Sequence, residues 1–234
     1  MGKYIKLIIV NLITIIRLIG AFILPFVYYK QGISASAVFI VILFLTDAID
    51  GFFARTFKVC TFFGSGMDAI SDKLLNTISF IILGIEYNVM IAPLSIEIAI
   101  LYTSYSTYRY GGNIKASIIG KIKTIILDFF VILSFVLLAL PTLKNKTYFI
   151  LKLINLTDLT IHIFAFIILI ACLITLFDYL GKNKIARMNP KANEIKNEQK
   201  TRKPFKKIIK TIFDTDYYQK HKNESILKQF YINN

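Results

Sequence analysis

An all-α membrane fold is what this sequence predicts: six transmembrane helices with both termini cytoplasmic, plus a basic C-terminal amphipathic segment. Three observations carry that expectation. The 234 residues are 56% hydrophobic with a mean hydropathy of +0.61, more than a soluble domain sustains while covering itself with polar surface. The apolar residues form blocks of about 18 or more, long enough to cross a bilayer, rather than short alternating runs. The charge is uneven: of 28 Lys and Arg and 14 Asp and Glu, 14 basic and 5 acidic residues fall in 182–234. A large soluble helical core is the competing reading, and the block lengths disfavour it.

Taken in order, the predicted spans cover 9–28, 35–55, 67–84, 89–107, 119–141 and 159–180. The first follows Lys3 and Lys6 and is interrupted by Arg17. The second carries Asp47 and Asp50 and ends at Arg55; the third begins with Asp68, Asp72 and Lys73. Arg55 and Lys58, the group Arg109, Lys115, Lys121 and Lys123, and the basic tail all fall on one side of a six-span arrangement. A Lys and Arg excess marks that side as cytoplasmic. The connection 142–158 breaks the pattern with Lys144, Lys146 and Lys152. Two domains are expected, a membrane domain over 1–181 and a basic cytoplasmic tail over 182–234. Residues 205–213 place Phe205, Ile208, Ile209 and Ile212 at helical spacing among lysines, the pattern of a helix lying on a membrane surface.

A formal charge of +14 would point to nucleic acid in a soluble protein. Basic flanks of membrane helices instead set topology and meet anionic headgroups, so no nucleic-acid partner is expected. Cys60 and Cys172 have no metal-binding or disulfide spacing and read as packing residues. The N-terminus lacks the pattern of a cleaved signal, since Arg17 breaks its apolar run and no small-x-small site precedes Lys30. His162 and His221 have no partners at catalytic or metal spacing.

Four aspartates carry the functional information. An acidic residue at the centre of a membrane helix costs about 2.5–3.5 kcal/mol on insertion, so four deep and unpaired would cost on the order of 10 kcal/mol. Asp47 and Asp50 are i,i+3 on one helix and Asp68 and Asp72 are i,i+4 on the next, so each pair shares a face. A reversal of about a dozen residues lets the two faces meet. Carboxylates gathered there repel one another, and divalent cations such as Mg²⁺ or Mn²⁺, which prefer hard oxygen ligands, relieve that repulsion. Gly51 and Ala54 leave room for close approach, and Arg55 adds a fixed positive charge one turn from Asp50. A diphosphate bridged by metal and arginine suits the arrangement.

The segment Asp47-Ala-Ile-Asp50-Gly51-Phe-Phe-Ala54-Arg55, eight residues, Gly64, three residues, Asp68, three residues, Asp72 resembles the signature of the CDP-alcohol phosphatidyltransferase family, D-x2-D-G-x2-A-R-x8-G-x3-D-x3-D, at every fixed position. The resemblance implies a six-helix membrane enzyme that uses two metal ions, Mg²⁺ or Mn²⁺. Asp47, Asp50, Asp68 and Asp72 would hold the metals, and Asp72 would also act as base on the acceptor hydroxyl. Gly51, Ala54, Arg55 and Thr61 would contact the CDP moiety, with Gly64 leaving space for it. CDP-diacylglycerol and a small alcohol are the implied partners within a lipid bilayer of the cell membrane, the site faces the cytoplasm, and the family's homodimers imply a homodimer here.

Two shorter segments are similar to bacterial phosphatidylglycerophosphate synthases within that family. Asn11-Leu-Ile-Thr14-Ile-Ile-Arg17 matches their N-x2-T-x2-R opening and implies that Asn11 and Thr14 bind the nucleotide; the bland alternative is that Asn11 and Thr14 cap a helix and Arg17 snorkels. Gly120-Lys121-Ile122-Lys123-Thr124 matches their G-K-x-K-T segment. With Arg109 and Lys115, Lys121 and Lys123 would bind a phosphorylated acceptor, glycerol 3-phosphate; positive-inside topology alone also calls for lysines there. Residues 97–115 lack the Arg-Glu dipeptide of those synthases, Met67-Asp68-Ala69 stands for their Leu-Asp-Pro, and the tail has no counterpart. Inositol phosphate, serine and phosphatidylglycerol therefore stay open as acceptors. A cation transporter or a non-catalytic scaffold would explain buried acids but not the glycine, alanine and arginine spacing.

Overall fold

The computed structural model describes residues 2–57, 59–110, 117–143, 146–188 and 212–221, apart from the side chains at 3, 4, 55, 108 and 221. Six helices make up the described residues: α1 (Lys3–Thr56), α2 (Phe62–Glu86), α3 (Ile91–Arg109), α4 (Ile118–Ala139), α5 (Tyr148–Met188) and α6 (Thr215–His221). Short 3₁₀ turns at Asn88–Met90 and Leu140–Thr142 join α2 to α3 and end α4. Four stretches are long and apolar enough to cross a membrane: Ile5–Ala54, Asn88–Thr107, Ile118–Thr142 and Tyr148–Met188. The chain is thus an integral membrane protein by its helices. The third expected span lies in α2, where Asp68, Asp72 and Lys73 keep any 18-residue stretch from qualifying by hydropathy.

The first two expected spans share α1. At 1.5 Å per residue its 54 residues would run about 80 Å if straight, against about 30 Å of bilayer core. Gly32 breaks it. Its backbone, at φ +79° and ψ −172°, lies in a region open essentially to glycine alone. Contacts between the two arms fix the consequence: Gly20 meets Leu43, Arg17 meets Asp47, Thr14 meets Asp50, and the Lys6 ammonium lies 4.7 Å from the Phe57 ring centre. The sequence midpoint of each pair falls within half a residue of position 32. That is the register of an antiparallel helical hairpin turning at Gly32.

The chain forms two compact units. The first takes Met1–Ile23 and Ile42–Leu75 with the described tail residues 212–221. The second takes Leu24–Val41 and the chain from Asn76, in which α5 packs on both α3 and α4. In α4, Leu127, Val131 and Phe135 are buried with Gly120, Lys123 and Ser134, while Ile118, Ile122, Ile125 and Phe129 are exposed. An outward stripe of Ile and Phe has no place on a water-facing helix but suits one facing lipid. Several polar groups turn inward and are paired there, as buried groups usually are. Asn183 Nδ2 donates to Thr107 Oγ1 (3.1 Å), and the Arg187 guanidinium donates to Ser106 Oγ (3.1 Å) and lies over the Tyr110 ring.

α5 continues through Met188, seven residues past the expected domain boundary. Of the amphipathic helix expected over 205–213, only Ile212 and Phe213 are among the described residues; Phe205, Ile208 and Ile209 lie outside them. The Cys60 thiol donates to Ala54 O (3.4 Å), and Cys172 is buried in α5.

Candidate active site

A cavity of about 380 Å³ lies within the first unit. The N-terminal arm of α1 contributes Val10, Asn11 and Thr14. Its C-terminal arm contributes Asp47, Ala48, Asp50, Gly51 and Ala54. The connection and the start of α2 contribute Val59, Cys60, Thr61, Gly64, Ser65, Asp68 and Asp72, and α6 contributes Tyr218. The i,i+3 and i,i+4 spacings aim each aspartate pair at this space, and the reversal at Gly32 brings Asn11 and Thr14 to its third wall.

Local chemistry sets the turn into α2. Val59 N donates to Ala54 O (3.2 Å), which closes the end of α1. Thr61 then caps α2: its Oγ1 accepts from Gly64 N (3.0 Å) while its carbonyl accepts from Ser65 N (3.0 Å). A Cβ on Gly64 would lie 2.8 Å from Asn11 Oδ1 and 3.2 Å from Thr61 Oγ1. Glycine here lets the Asn11 side chain rest against the first turn of α2.

Arg17 sits at the centre of the acidic group. Its side chain is completely buried, and its guanidinium bonds Asp47 and Asp68 while lying 3.2 Å from Asp72 Oδ1 and 3.5 Å from Asp50 Oδ2. Its Nε donates to Ser71 Oγ (3.0 Å). Asp50 is the buried member of the four, its side chain 4% exposed, and it accepts a hydrogen bond from Thr14 Oγ1 (3.0 Å). Asp47, Asp68 and Asp72 are 38–45% exposed. One planar fork thus touches four carboxylates, a geometry that a lysine ammonium cannot reproduce.

Residues 7–177 match the CDP-alcohol phosphatidyltransferase family. The chain belongs to that family. Among curated relatives it is similar to the CDP-diacylglycerol–glycerol-3-phosphate 3-phosphatidyltransferase of Bacillus subtilis (33% identity over 95 residues, 38% of this chain and 49% of the relative). The protein of the same name from Yersinia enterocolitica is 32% identical over 112 residues, 44% of this chain and 60% of the relative. A cardiolipin synthase (CMP-forming)/mitochondrial hydrolase fusion protein of Schizosaccharomyces pombe is 30% identical over 103 residues, 43% of this chain and 17% of the relative. The chain spans about half the length of the first of these and less than two thirds of any. No solved structure matches it.

A CDP-alcohol phosphatidyltransferase relies on divalent metal, and the donor set present here fits one. Carboxylate oxygens of Asp47, Asp50 and Asp68 lie within 4.8 Å of one another, and all are the hard anionic ligands that Mg²⁺ and Mn²⁺ take. Four carboxylates around one guanidinium leave a formal local charge of −3. A divalent ion held by these oxygens would lower that charge to −1.

The residues expected to touch CDP gather here as well. Asn11, Thr14, Gly51, Ala54, Thr61 and Gly64 all line the cavity; the side chain of Arg55 lies outside the described residues. The residues expected to bind the acceptor belong to the second unit. Arg109 ends α3 and is exposed, Lys121 is exposed on α4, and Lys115 lies outside the described residues. Lys123 is buried and bonds Glu97 Oε1 (2.5 Å), which also accepts from Cys172 Sγ (3.2 Å). Asp128, within the apolar α4, accepts from Asn76 Nδ2 (2.9 Å). His162 is exposed, its Nδ1 2.8 Å from Asp158 O and 3.9 Å from Asp158 Oδ1, while the His221 side chain lies outside the described residues.

Among the site residues that sequence reasoning missed, Arg17 and Tyr218 matter most. Arg17 counted only as part of a short motif or as a snorkelling side chain. A signal existed, since a guanidinium in mid-span needs an acidic partner as much as an aspartate needs a cation. Tyr218 had no signal in the family pattern, because it lies beyond the matched residues.

Proposed function

We propose that this chain transfers a phosphatidyl group from CDP-diacylglycerol to glycerol 3-phosphate, forming phosphatidylglycerophosphate and CMP in phospholipid synthesis. The observation that carries this reading is the convergence of all four signature aspartates on one cavity with the residues expected to hold the nucleotide. The acceptor hydroxyl oxygen attacks the lipid-side phosphorus in line with the leaving group. The new P–O bond forms as the bond from that phosphorus to the bridging oxygen breaks, and CMP departs with that oxygen. The hydroxyl proton passes to Asp72, which is partly exposed at the cavity wall and so reachable from water. Two Mg²⁺ or Mn²⁺ ions, held by Asp47, Asp50, Asp68 and Asp72, would offset the diphosphate's charge and stabilise charge gathering on the transferring phosphorus. Thr14 holds Asp50 in place through its hydroxyl, and Asn11, Gly51, Ala54, Arg55, Thr61 and Gly64 shape the space for CDP.

Arg109, Lys115 and Lys121 supply the positive charge for a phosphorylated acceptor. Lys123, already bonded to Glu97, acts through that pair rather than as a free cation. The names of the Bacillus subtilis and Yersinia enterocolitica relatives support glycerol 3-phosphate. The Schizosaccharomyces pombe relative supports a second reading, phosphatidylglycerol as acceptor with cardiolipin as product. We further infer that α1 crosses the membrane twice and α2 once, giving six spans. The Lys and Arg excess on one side supports a cytoplasmic active site, and the protein is proposed to act as a homodimer with its tail, 182–234, on that side.

The test is CMP release by purified protein in detergent with CDP-diacylglycerol, Mg²⁺ or Mn²⁺, and glycerol 3-phosphate, inositol 1-phosphate, serine, phosphatidylglycerol or no acceptor. Release with glycerol 3-phosphate, lost in chelator and in Asp72→Asn while CDP still binds, is the expected result. Release only with another acceptor moves the protein to that acceptor, and full turnover in chelator rules out the metal site.

A further inference from the structure

The tail has a place in the site. Residues 212–221 lie outside the residues 7–177 that match the family, yet they pack on the first turn of α2. Phe213 stacks on Phe63 with ring centres 4.7 Å apart, Tyr218 meets Phe62 edge-on at 5.0 Å, and the Tyr217 ring lies tilted 6.2 Å from Phe62. Ile212 and Thr215 are buried. Asp214 fixes the start of α6, its Oδ1 accepting from Asp216 N (2.8 Å) and Tyr217 N (3.1 Å). Tyr218, so held, lines the cavity that contains the aspartates.

Position along α2 decides which part of a substrate Tyr218 meets. Phe62 opens that helix, whereas Asp68 and Asp72 lie about 9 and 15 Å further along its axis at 1.5 Å per residue. Tyr218 is therefore at the end of the cavity away from the carboxylates, beside Thr61, where α1 ends and α2 begins. A nucleoside diphosphate with its phosphates at the carboxylates extends its ribose and base toward that end. An aromatic ring there offers a flat apolar face to a base, a contact that tolerates any base but needs the ring.

We propose that Tyr218 is a substrate-contact residue: the C-terminal tail of this chain builds the wall of the donor pocket against which the nucleoside of the CDP-linked lipid rests. This inference rests on the donor assignment proposed above. The tail, expected from its charge to serve the membrane surface, thereby has a second role in binding.

Binding of CDP and of pyrophosphate to the full chain in detergent, with Mn²⁺ present, tests it. Tyr218→Ala and Tyr218→Leu should weaken CDP about tenfold, while Tyr218→Phe stays within about twofold of wild type. Tyr218→Leu keeps apolar bulk against Phe62, so a loss in both variants at an unchanged melting temperature is not a packing defect. Pyrophosphate, which has neither base nor ribose, should bind all four proteins alike. In turnover, KM for CDP-diacylglycerol should rise with kcat nearly constant. Equal CDP affinity in wild type and Tyr218→Leu would overturn the proposal and leave the donor assignment intact. Wild-type protein that binds pyrophosphate but gains nothing from the nucleoside of CDP would overturn both.

Discussion

Replacing Arg17 tests the electrostatic frame of the site most directly, because this side chain is completely buried and meets all four aspartates. In metal-free protein, Arg17→Gln removes from the carboxylates the guanidinium that meets all four. Asp50, only 4% exposed, dominates the cost: removing one partner of a buried ion pair destabilises by about 3–5 kcal/mol. Asp47, Asp68 and Asp72 are 38–45% exposed and each adds less than about 1 kcal/mol, since water screens them. A chain of this size loses about 2–4 °C of melting temperature per kcal/mol, so a total of about 3–8 kcal/mol gives an expected fall of about 6–30 °C. The protein has no tryptophan, and circular dichroism at 222 nm is the suitable probe. Mn²⁺ should reverse most of the loss, since a ligand at 100 times its Kd stabilises by about 2.7 kcal/mol. Mn²⁺ should also bind the variant more tightly. Two unit charges 4 Å apart interact by about 4 kcal/mol at an effective dielectric of 20, and even after screening a tenfold gain, about 1.4 kcal/mol, is the least expected. Arg17→Lys keeps the charge but not the four-way fork and should fall between. Equal metal-free melting temperatures and equal Mn²⁺ affinities in wild type and Arg17→Gln would refute the counter-ion role.

Three further substitutions probe the frame around that centre. Gly32→Ala forces a side chain into φ +79°, ψ −172° and should cost about 1–3 kcal/mol, seen as a lower melting temperature with KM for the donor unchanged. Gly64→Ala puts a Cβ 2.8 Å from Asn11 Oδ1, so the amide must move; KM for CDP-diacylglycerol should rise several-fold with little change in melting temperature, and an unchanged KM would remove Asn11 from the donor pocket. Lys123→Met and Glu97→Gln each break the buried pair and should cost about 3–5 kcal/mol, whereas the double variant should cost less than either single change. Additive losses in that cycle would mean the two residues are not coupled.

The convergence of the aspartates on one cavity was legible because their pattern is local: i,i+3 and i,i+4 spacings name the faces, and a dozen intervening residues bring the faces together. The hairpin was legible as two spans but not in register. Gly32 stood in the expected connection, yet only the contact set Gly20–Leu43, Arg17–Asp47 and Thr14–Asp50 identifies it as the pivot. Once the pivot is known the missed residue follows, because reflecting Asp47 through position 32 lands on Arg17. Tyr218 lies 156 residues from Phe62, and no period or spacing links them; the only local trace was Asp214 as a helix cap.

Lys123 shows where a rule about side chains as a class falls short of a rule about position. Its neighbour Lys121 is exposed, as the positive-inside pattern requires. Lys123 instead stands four residues before Leu127 and eight before Val131, both buried, so helical periodicity turns it inward. An inward lysine in an apolar helix needs an acid, and Glu97 was the residue in mid-span on α3 still lacking a cation. The same logic joins Arg17 to the aspartates: in a bilayer each buried charge implies its partner, and here the partners stand on the opposite arm of α1 and on α2.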